Sequence, residues 1–242
     1  MNTVFNIKNL SYSYGNKINA LYDINFEIFK GEILVILGAN GSGKSTLLKL
    51  IDNLILPDKG EIWAFGTLLN DKIRYDEYEF RKKVGFVFQD SDAQLFNSTV
   101  FDEIAFAPLQ MGLPKENVKN AVNDIINSFE IEKLASRPPY RLSGGEKKKV
   151  ALASVIIIKP EVLLLDEPTN GLDPKSKKWL IKKLQLLHKD GTTIVIATHY
   201  LEMASMLADR VIIMNEEHSI EIIGEPNTIL NNTDLLLKVN LI

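Results

Sequence analysis

"GANGSGKST", residues 38–46, gathers Gly38, Gly41 and Gly43 around a single cation, Lys44, and ends on the hydroxyls of Ser45 and Thr46. It follows the apolar run "EILVIL" at 32–37 and leads into the helical pattern "TLLKLI". Gly38, Gly43, Lys44 and Ser45 fit G-x-x-x-x-G-K-[ST] between a predicted strand and a predicted helix, the context that pattern requires. At ordinary residue usage it arises by accident in roughly one chain in a hundred of this size. Its glycines let successive backbone N–H groups turn inward around an anion, and the helix N-terminus adds partial positive charge. Lys44 is placed to reach β- and γ-phosphates, and Ser45 to offer Mg²⁺ a hard oxygen.

The whole chain sets the limits on what surrounds this loop. Its 242 residues, 45% of them hydrophobic, can bury one sizeable core or two small ones. A formal charge of -3 supplies no global pull toward phosphate backbones or anionic lipid, so such partners would need a local basic patch. The absence of cysteine excludes a disulfide scaffold and thiolate metal sites. No apolar run approaches the roughly 20 residues that span a bilayer, and "MNTVFNIKNL" has no signal-peptide core. The expectation is a soluble, cytoplasmic chain without repeats or linkers.

Three stretches of the first third, "TVFNIKNLSYSY", "INFEIFKGEILVILG" and "GEIWAFG", read as strands, rich in β-branched and aromatic residues between glycines. From about 100 to 158 the pattern turns helical, with Val118, Val122, Ile125, Ile126 and Phe129 along one face. "EVLLLD" and "TTIVIAT" are apolar on both faces and separated by a helical stretch, which predicts buried parallel strands. The expected fold is an α/β core with a helical insertion.

In "EVLLLDEPTNGLD" a strand ends in two adjacent carboxylates, and strand alternation is expected to point them different ways. Asp166 is the candidate metal partner and Glu167 the candidate for orienting water. His199, after "TIVIAT", falls at the carboxyl edge of a parallel sheet, the usual ligand side, where it can sense a γ-phosphate. His188 and His218 stand in unrelated contexts, which argues against a histidine metal site. Gln89, closing "VGFVFQ", has an amide able to reach metal or water, or to serve a turn. In "RLSGGEKKKVALASV", Ser143 and Glu146 form a capping box around Gly144 and Gly145, exposing backbone at a positive helix end. That is either an ordinary cap or a second anion site on a chain that already has one.

The set "GANGSGKST", Gln89, "LSGGE", "LLLDEP", "GLD" and His199, in this order and spacing, resembles the ATP-binding cassette (ABC) ATPases over essentially the whole chain. The resemblance implies a P-loop NTPase (RecA-like) α/β core with an N-terminal antiparallel β-subdomain, about 1–91 and 159–242, and an inserted α-helical subdomain, about 92–158. It implies Tyr14 stacked on adenine and the phosphates of ATP held by Gly38, Asn40, Gly41, Ser42, Gly43, Lys44, Ser45 and Thr46. Gln89 links metal and transport partner, Asp166 assists Mg²⁺, Glu167 polarises water and His199 contacts the γ-phosphate. Ser143, Gly144, Gly145 and Glu146 cap the nucleotide of an opposite subunit, beside the inter-subunit residue Asp173. Implied partners are a second cassette, a transmembrane coupling subunit and a substrate-capture subunit. The chain would then sit at the cytoplasmic face of the membrane, touching it only through partners.

Two positions depart from the family: Glu146 stands where Gln is usual and Lys149 where Arg is usual, keeping the charge without the planar fork. "VGFVFQDSDAQLFNSTVFDEIAFAPLQMGLP" resembles cobalt/nickel and energy-coupling-factor (ECF) importers, and the short carboxyl end favours the metal-ion branch over the vitamin importers. Phe96, Phe106, Leu109 and Met111 either receive a membrane subunit or pack the helical lobe. The lysines of "PKSKKWLIKKLQLLHKD" read as the wet side of a helix whose Trp179, Leu180, Leu184 and Leu187 face the sheet, and "EKKK" at 146–149 as a helix surface. No nucleic acid is expected. A soluble ABC ATPase acting on DNA or ribosomes, and a nucleotide-gated module that hardly turns over, are the other classes; the first usually carries coiled-coil or tandem elements, and Glu167 speaks against the second.

Overall fold

The computed structural model describes residues 2–15, 18–69 and 76–242. In chain order its elements are β1 (Thr3–Tyr14), β2 (Ile18–Phe29), β3 (Ile33–Leu37), α1 (Lys44–Ile51), β4 (Lys59–Ala64), β5 (Thr67–Leu68), α2 (Glu77–Lys83) and β6 (Val84–Val87). There follow α3 (Ser91–Gln94), α4 (Val100–Gln110), α5 (Lys115–Phe129) and α6 (Gly144–Ile156). The chain closes with β7 (Val162–Asp166), α7 (Pro174–Lys189), β8 (Thr193–Thr198), α8 (Leu201–Leu207), β9 (Arg210–Met214), β10 (Ile220–Gly224), α9 (Pro226–Leu230) and α10 (Thr233–Lys238).

Strands apolar on both faces cannot leave either face wet, and the sheet they form is covered on both. It runs β10-β9-β3-β8-β7-β6, parallel throughout except where β10 pairs antiparallel with β9. Residue alternation splits β3 between two cores: Ile33, Val35 and Leu37 face one, Leu34 and Ile36 the other. The first core packs the sheet against α4–α8. The second packs it against α1 and an antiparallel sheet of order β2-β1-β4-β5. Leu34 and Ile36 are fully buried, so truncating either to Ala costs about 2–5 kcal/mol.

Between β6 and β7 the chain leaves the sheet and builds α3 to α6, with α4 packed on both α5 and α6. On α5, Val118, Val122, Ile126 and Phe129 are buried and Ile125 is half-buried against the same core, the face its periodicity predicts. On α7, Leu180 and Leu184 are buried while Trp179 and Leu187 pack at the core's edge. Of the lysines between them, Lys182 is exposed, whereas Lys183 is partly buried and lies over the Phe129 ring. What this architecture does for chemistry is simple: the carboxyl ends of β3, β7 and β8 lie side by side, and each is followed at once by a loop carrying polar residues.

Candidate functional site

The loop after β3 can fold as it does only because of its glycines. Gly43 caps α1 at φ 102, and a Cβ there would lie 2.3 Å from the Ala20 carbonyl oxygen. At Gly38 a Cβ would meet Ser42 Oγ at 2.5 Å, so the loop closes on itself. Lys44, first residue of α1, is 5% exposed; its Nζ donates to the carbonyls of Gly38 at 2.8 Å and Ala39 at 3.0 Å. Burial pushes the Lys44 ammonium below the usual lysine range, against the opposing pull of Glu167 and Asp166.

Ser45 Oγ donates to Asp166 Oδ1 at 2.8 Å, joining the loop to the tip of β7. Burial pushes the Asp166 carboxyl above the usual carboxylate range while this hydrogen bond opposes it. Glu167 does not continue the strand. Its φ is 42, in the left-handed region, so this turn, and not the alternation expected from sequence, sets where its carboxylate goes. That carboxylate is buried and fully engaged: Thr198 Oγ1 donates to Oε2 at 3.0 Å, His199 Nδ1 lies 2.9 Å from Oε1, and Lys44 Nζ stands 3.8 Å from Oε1. Thr198 and His199 come from the end of β8, the neighbour of β7 in the sheet, and Lys44 from the start of α1.

Lys44, Ser45, Glu167 and His199 line one cleft of about 620 Å³ with Tyr14, Asn40, Gly41, Gly43, Thr46 and Gln89, whereas Asp166 is buried behind Ser45, its hydrogen-bond partner. Tyr14 stands at its rim, 42% exposed, with its hydroxyl 3.2 Å from Thr46 Oγ1 and its ring edge-on to Tyr12. Ser42 is buried behind the loop. Ile18, Asn19, Ala20, Asn170 and His218 also line the cleft, and sequence reading misses all five. For Asn170 the signal was its place in "EPTNGLD"; the others arrive from the tip of β2 and the β9–β10 turn, which no local pattern ties to the loop. His199 and His218, read as unrelated, share this cleft, whereas His188 bonds the Gly31 carbonyl elsewhere.

Ser143, Gly144, Gly145, Glu146 and Asp173 do not line the cleft; they form a second cluster. The capping box is complete: Glu146 Oε2 accepts from the Ser143 backbone N–H and hydroxyl, each at 2.8 Å, and Ser143 Oγ accepts from Glu146 N–H. Those bonds hold the Glu146 carboxyl below its usual range. Asp173 caps α7 through the Lys175 and Ser176 N–H groups, and a Cβ on Gly145 would press on Ser176 Oγ at 2.6 Å. The two helix starts therefore abut, leaving Gly144 open to solvent.

The "EKKK" run is not the helix surface its charge suggests. Lys149 reaches the Phe129 carbonyl and covers the Trp179 ring, while Lys148 is buried and donates to the carbonyls of Phe88 and Gln89.

Comparison with known proteins places the chain in a family. The ABC transporter family model matches residues 21–170. A protein of Caldanaerobacter subterraneus, named as an ABC transporter ATP-binding protein, is 66% identical over the full length of both chains. The nickel import ATP-binding protein NikO of Rhodobacter capsulatus is 42% identical, covering 100% of this chain and 97% of its own. The energy-coupling factor transporter ATP-binding protein EcfA of Methanocaldococcus jannaschii is 40% identical, over 97% and 83%. Among solved structures, cbiO1 of Clostridium perfringens, part of the ABC transporter complex cbiONQ, aligns at TM-score 0.83 with 34% identity over 100% of this chain and 96% of its own. The ATP-binding cassette MJ0796, solved as a dimer with ADP and Pi, aligns at 0.81 with 30% identity over 92% and 98%. A glycine-lysine cradle set beside a buried, hydrogen-bonded glutamate, in a chain matched along its length by such relatives, belongs to the ABC transporter family of ATP-binding proteins and is an ATPase.

Proposed function

We propose that this chain is the ATP-hydrolysing, energy-coupling subunit of an ECF-type importer for cobalt or nickel ions, working as one half of a cassette dimer. The observation that carries this reading is the separation of two anion-binding designs on one chain. The cleft around Lys44 and Glu167 holds one, and the Ser143–Glu146 helix tip, outside that cleft, holds the other. A second cassette, a copy or a paralogue, brings its own tip to this cleft and receives this chain's tip in return. The dimeric MJ0796 cassette and the names of NikO, EcfA and cbiO1 support the dimer and the branch.

In this reading residues of about 1–91 and 159–242 form the catalytic lobe and 92–158 the helical lobe. Tyr14 stacks on the base, and Gly38 to Thr46 hold the phosphates, with the Lys44 ammonium exchanging its loop carbonyls for β- and γ-oxygens. Ser45, Asp166 and Gln89 offer the hard oxygens that suit Mg²⁺, too few to cage it without phosphate and water. Bound there, Mg²⁺ supplies charge neutralisation at the transferring phosphoryl group. Glu167, fixed by Thr198 and His199, orients and deprotonates the attacking water, a role worth about 10²–10⁴ in rate. His199 contacts the γ-phosphate, and Asp173 supports the partner-facing tip.

Phe96 and Phe106 meet edge-on at 5.0 Å between centroids, and both are exposed along with Leu109. This apolar patch on the helical lobe is where we place the transmembrane coupling subunit. Among the described residues no helix is long and apolar enough to cross a membrane, so we place the chain at the cytoplasmic face, held there by its partners. The deciding experiment is reconstitution in vesicles with candidate transmembrane coupling and substrate-capture subunits. ATP-driven uptake of cobalt or nickel supports the reading; uptake of a vitamin alone, or no stable membrane partner together with nucleic-acid-stimulated ATPase, overturns it.

A further inference from the structure

Lys148 is 4% exposed, inside a charge run where its neighbours stay near the surface. A buried ammonium is costly unless its donors are met, and here they are met by backbone: the carbonyls of Phe88 at 3.1 Å and Gln89 at 3.0 Å. Those carbonyls belong to the segment whose Gln89 side chain lines the cleft. Lys148 itself lies one turn beyond the Ser143–Glu146 tip of α6.

Two more links join the same elements. Lys147 Nζ pairs with Asp92 Oδ1 at 2.5 Å. The Gln94 side chain accepts from the Phe88 N–H at 3.0 Å and donates to the Ala151 carbonyl at 3.2 Å. The segment from Phe88 to Gln94 is thus pinned along the first two turns of α6, with Lys148 as the buried pin nearest Gln89. An apolar side chain at this position would relieve the buried charge but leave both carbonyls without that donor, so the two effects on stability oppose each other.

We propose that Lys148 is a positioning residue for Gln89: it ties the carbonyls of the glutamine segment to the helix whose tip meets the partner's nucleotide, so that the Gln89 amide follows that helix into and out of the cleft. This rests on the reading of Gln89 as a group that acts on metal or water. Lysine suits the task because its three donors on a flexible stem can hold two carbonyls at once.

The test pairs Lys148→Met and Lys148→Arg with Gln89→Ala, reading ATPase kinetics, affinity for a fluorescent ATP analogue, melting temperature and amide hydrogen exchange. In Lys148→Met, kcat is expected to fall about ten- to hundredfold, as for a misplaced catalytic group. KM, analogue affinity and melting temperature stay near wild type, and amides 88–94 exchange faster. Lys148→Arg recovers part of kcat, and in the Gln89→Ala background Lys148→Met adds no further loss. An equal further loss in that background, a wild-type kcat, or a collapse of melting temperature in both Lys148 variants overturns the proposal. Should Gln89→Ala itself keep full activity, the reading of Gln89 fails; faster exchange confined to 88–94 in Lys148→Met still supports the tether, and unchanged exchange overturns it.

Discussion

His199 Nδ1 lies 2.9 Å from Glu167 Oε1, and the carboxylate it meets belongs to a residue in the left-handed backbone region. A strained turn aims the glutamate, and the imidazole holds it there. His199→Ala should therefore lower kcat about ten- to hundredfold through misalignment, with affinity for ATP changed far less. Steady-state kinetics beside nucleotide binding checks this; an equal loss in both would make His199 mainly a binding residue.

Gly144 offers a cleaner test of the second cluster. A Cβ there meets nothing within 4 Å, and alanine is a good helix former at the start of α6. Gly144→Ala should keep the wild-type melting temperature and the affinity of the isolated chain for ATP. ATP-dependent association and steady-state turnover should nonetheless fall at least tenfold, because the added methyl stands where the partner's nucleotide approaches. Normal turnover would reduce the tip to an ordinary helix cap.

The helical lobe can be probed at Phe106, 38% exposed beside Phe96. Phe106→Asp should abolish co-purification with the membrane subunit while basal nucleotide binding stays intact. Co-purification at normal yield would remove the patch from the interface.

Asp52, at the end of α1, pairs with Arg81 at 2.8 Å but has its other oxygen buried without a partner. Burial outweighs Arg81 and pushes its carboxyl up to about 7. A raised carboxyl keeps its proton in the folded state after the unfolded chain has lost it. Stability therefore falls as pH rises from about 4 to about 7 and is flat above. Relative to Asp52→Asn, which does not titrate, the wild type should lose roughly 2–4 kcal/mol across that window. Denaturant midpoints of both proteins at several pH values check it; parallel curves would mean that folding does not raise the Asp52 carboxyl.

Much of this was legible in local pattern. Gly38 to Thr46 announces its cradle because three glycines, a lysine and three hydroxyls have few other reasons to follow a buried strand. β3, β7 and β8 announce a covered sheet because, apart from Thr193 at the start of β8, every residue in them is apolar up to the tip. What pattern could not reach depends on long-range approach. Ala20 and His218 come to the cleft from another sheet and from a late hairpin turn. Lys148 hides in a lysine run because such a run normally signals solvent, whereas here Lys147 and Lys149 are only partly exposed and Lys148 is buried. Glu167 points as it does because of a left-handed turn that a rule of strand alternation cannot foresee.

The shared nucleotide is the centre of the account, and Glu167→Gln tests it most directly, since the amide keeps the shape of the site while removing the base. Light scattering on this variant with saturating ATP and Mg²⁺, alone and mixed with a paralogous cassette, should show a stable dimer that wild type forms only transiently. A strictly monomeric Glu167→Gln protein under both conditions would contradict it.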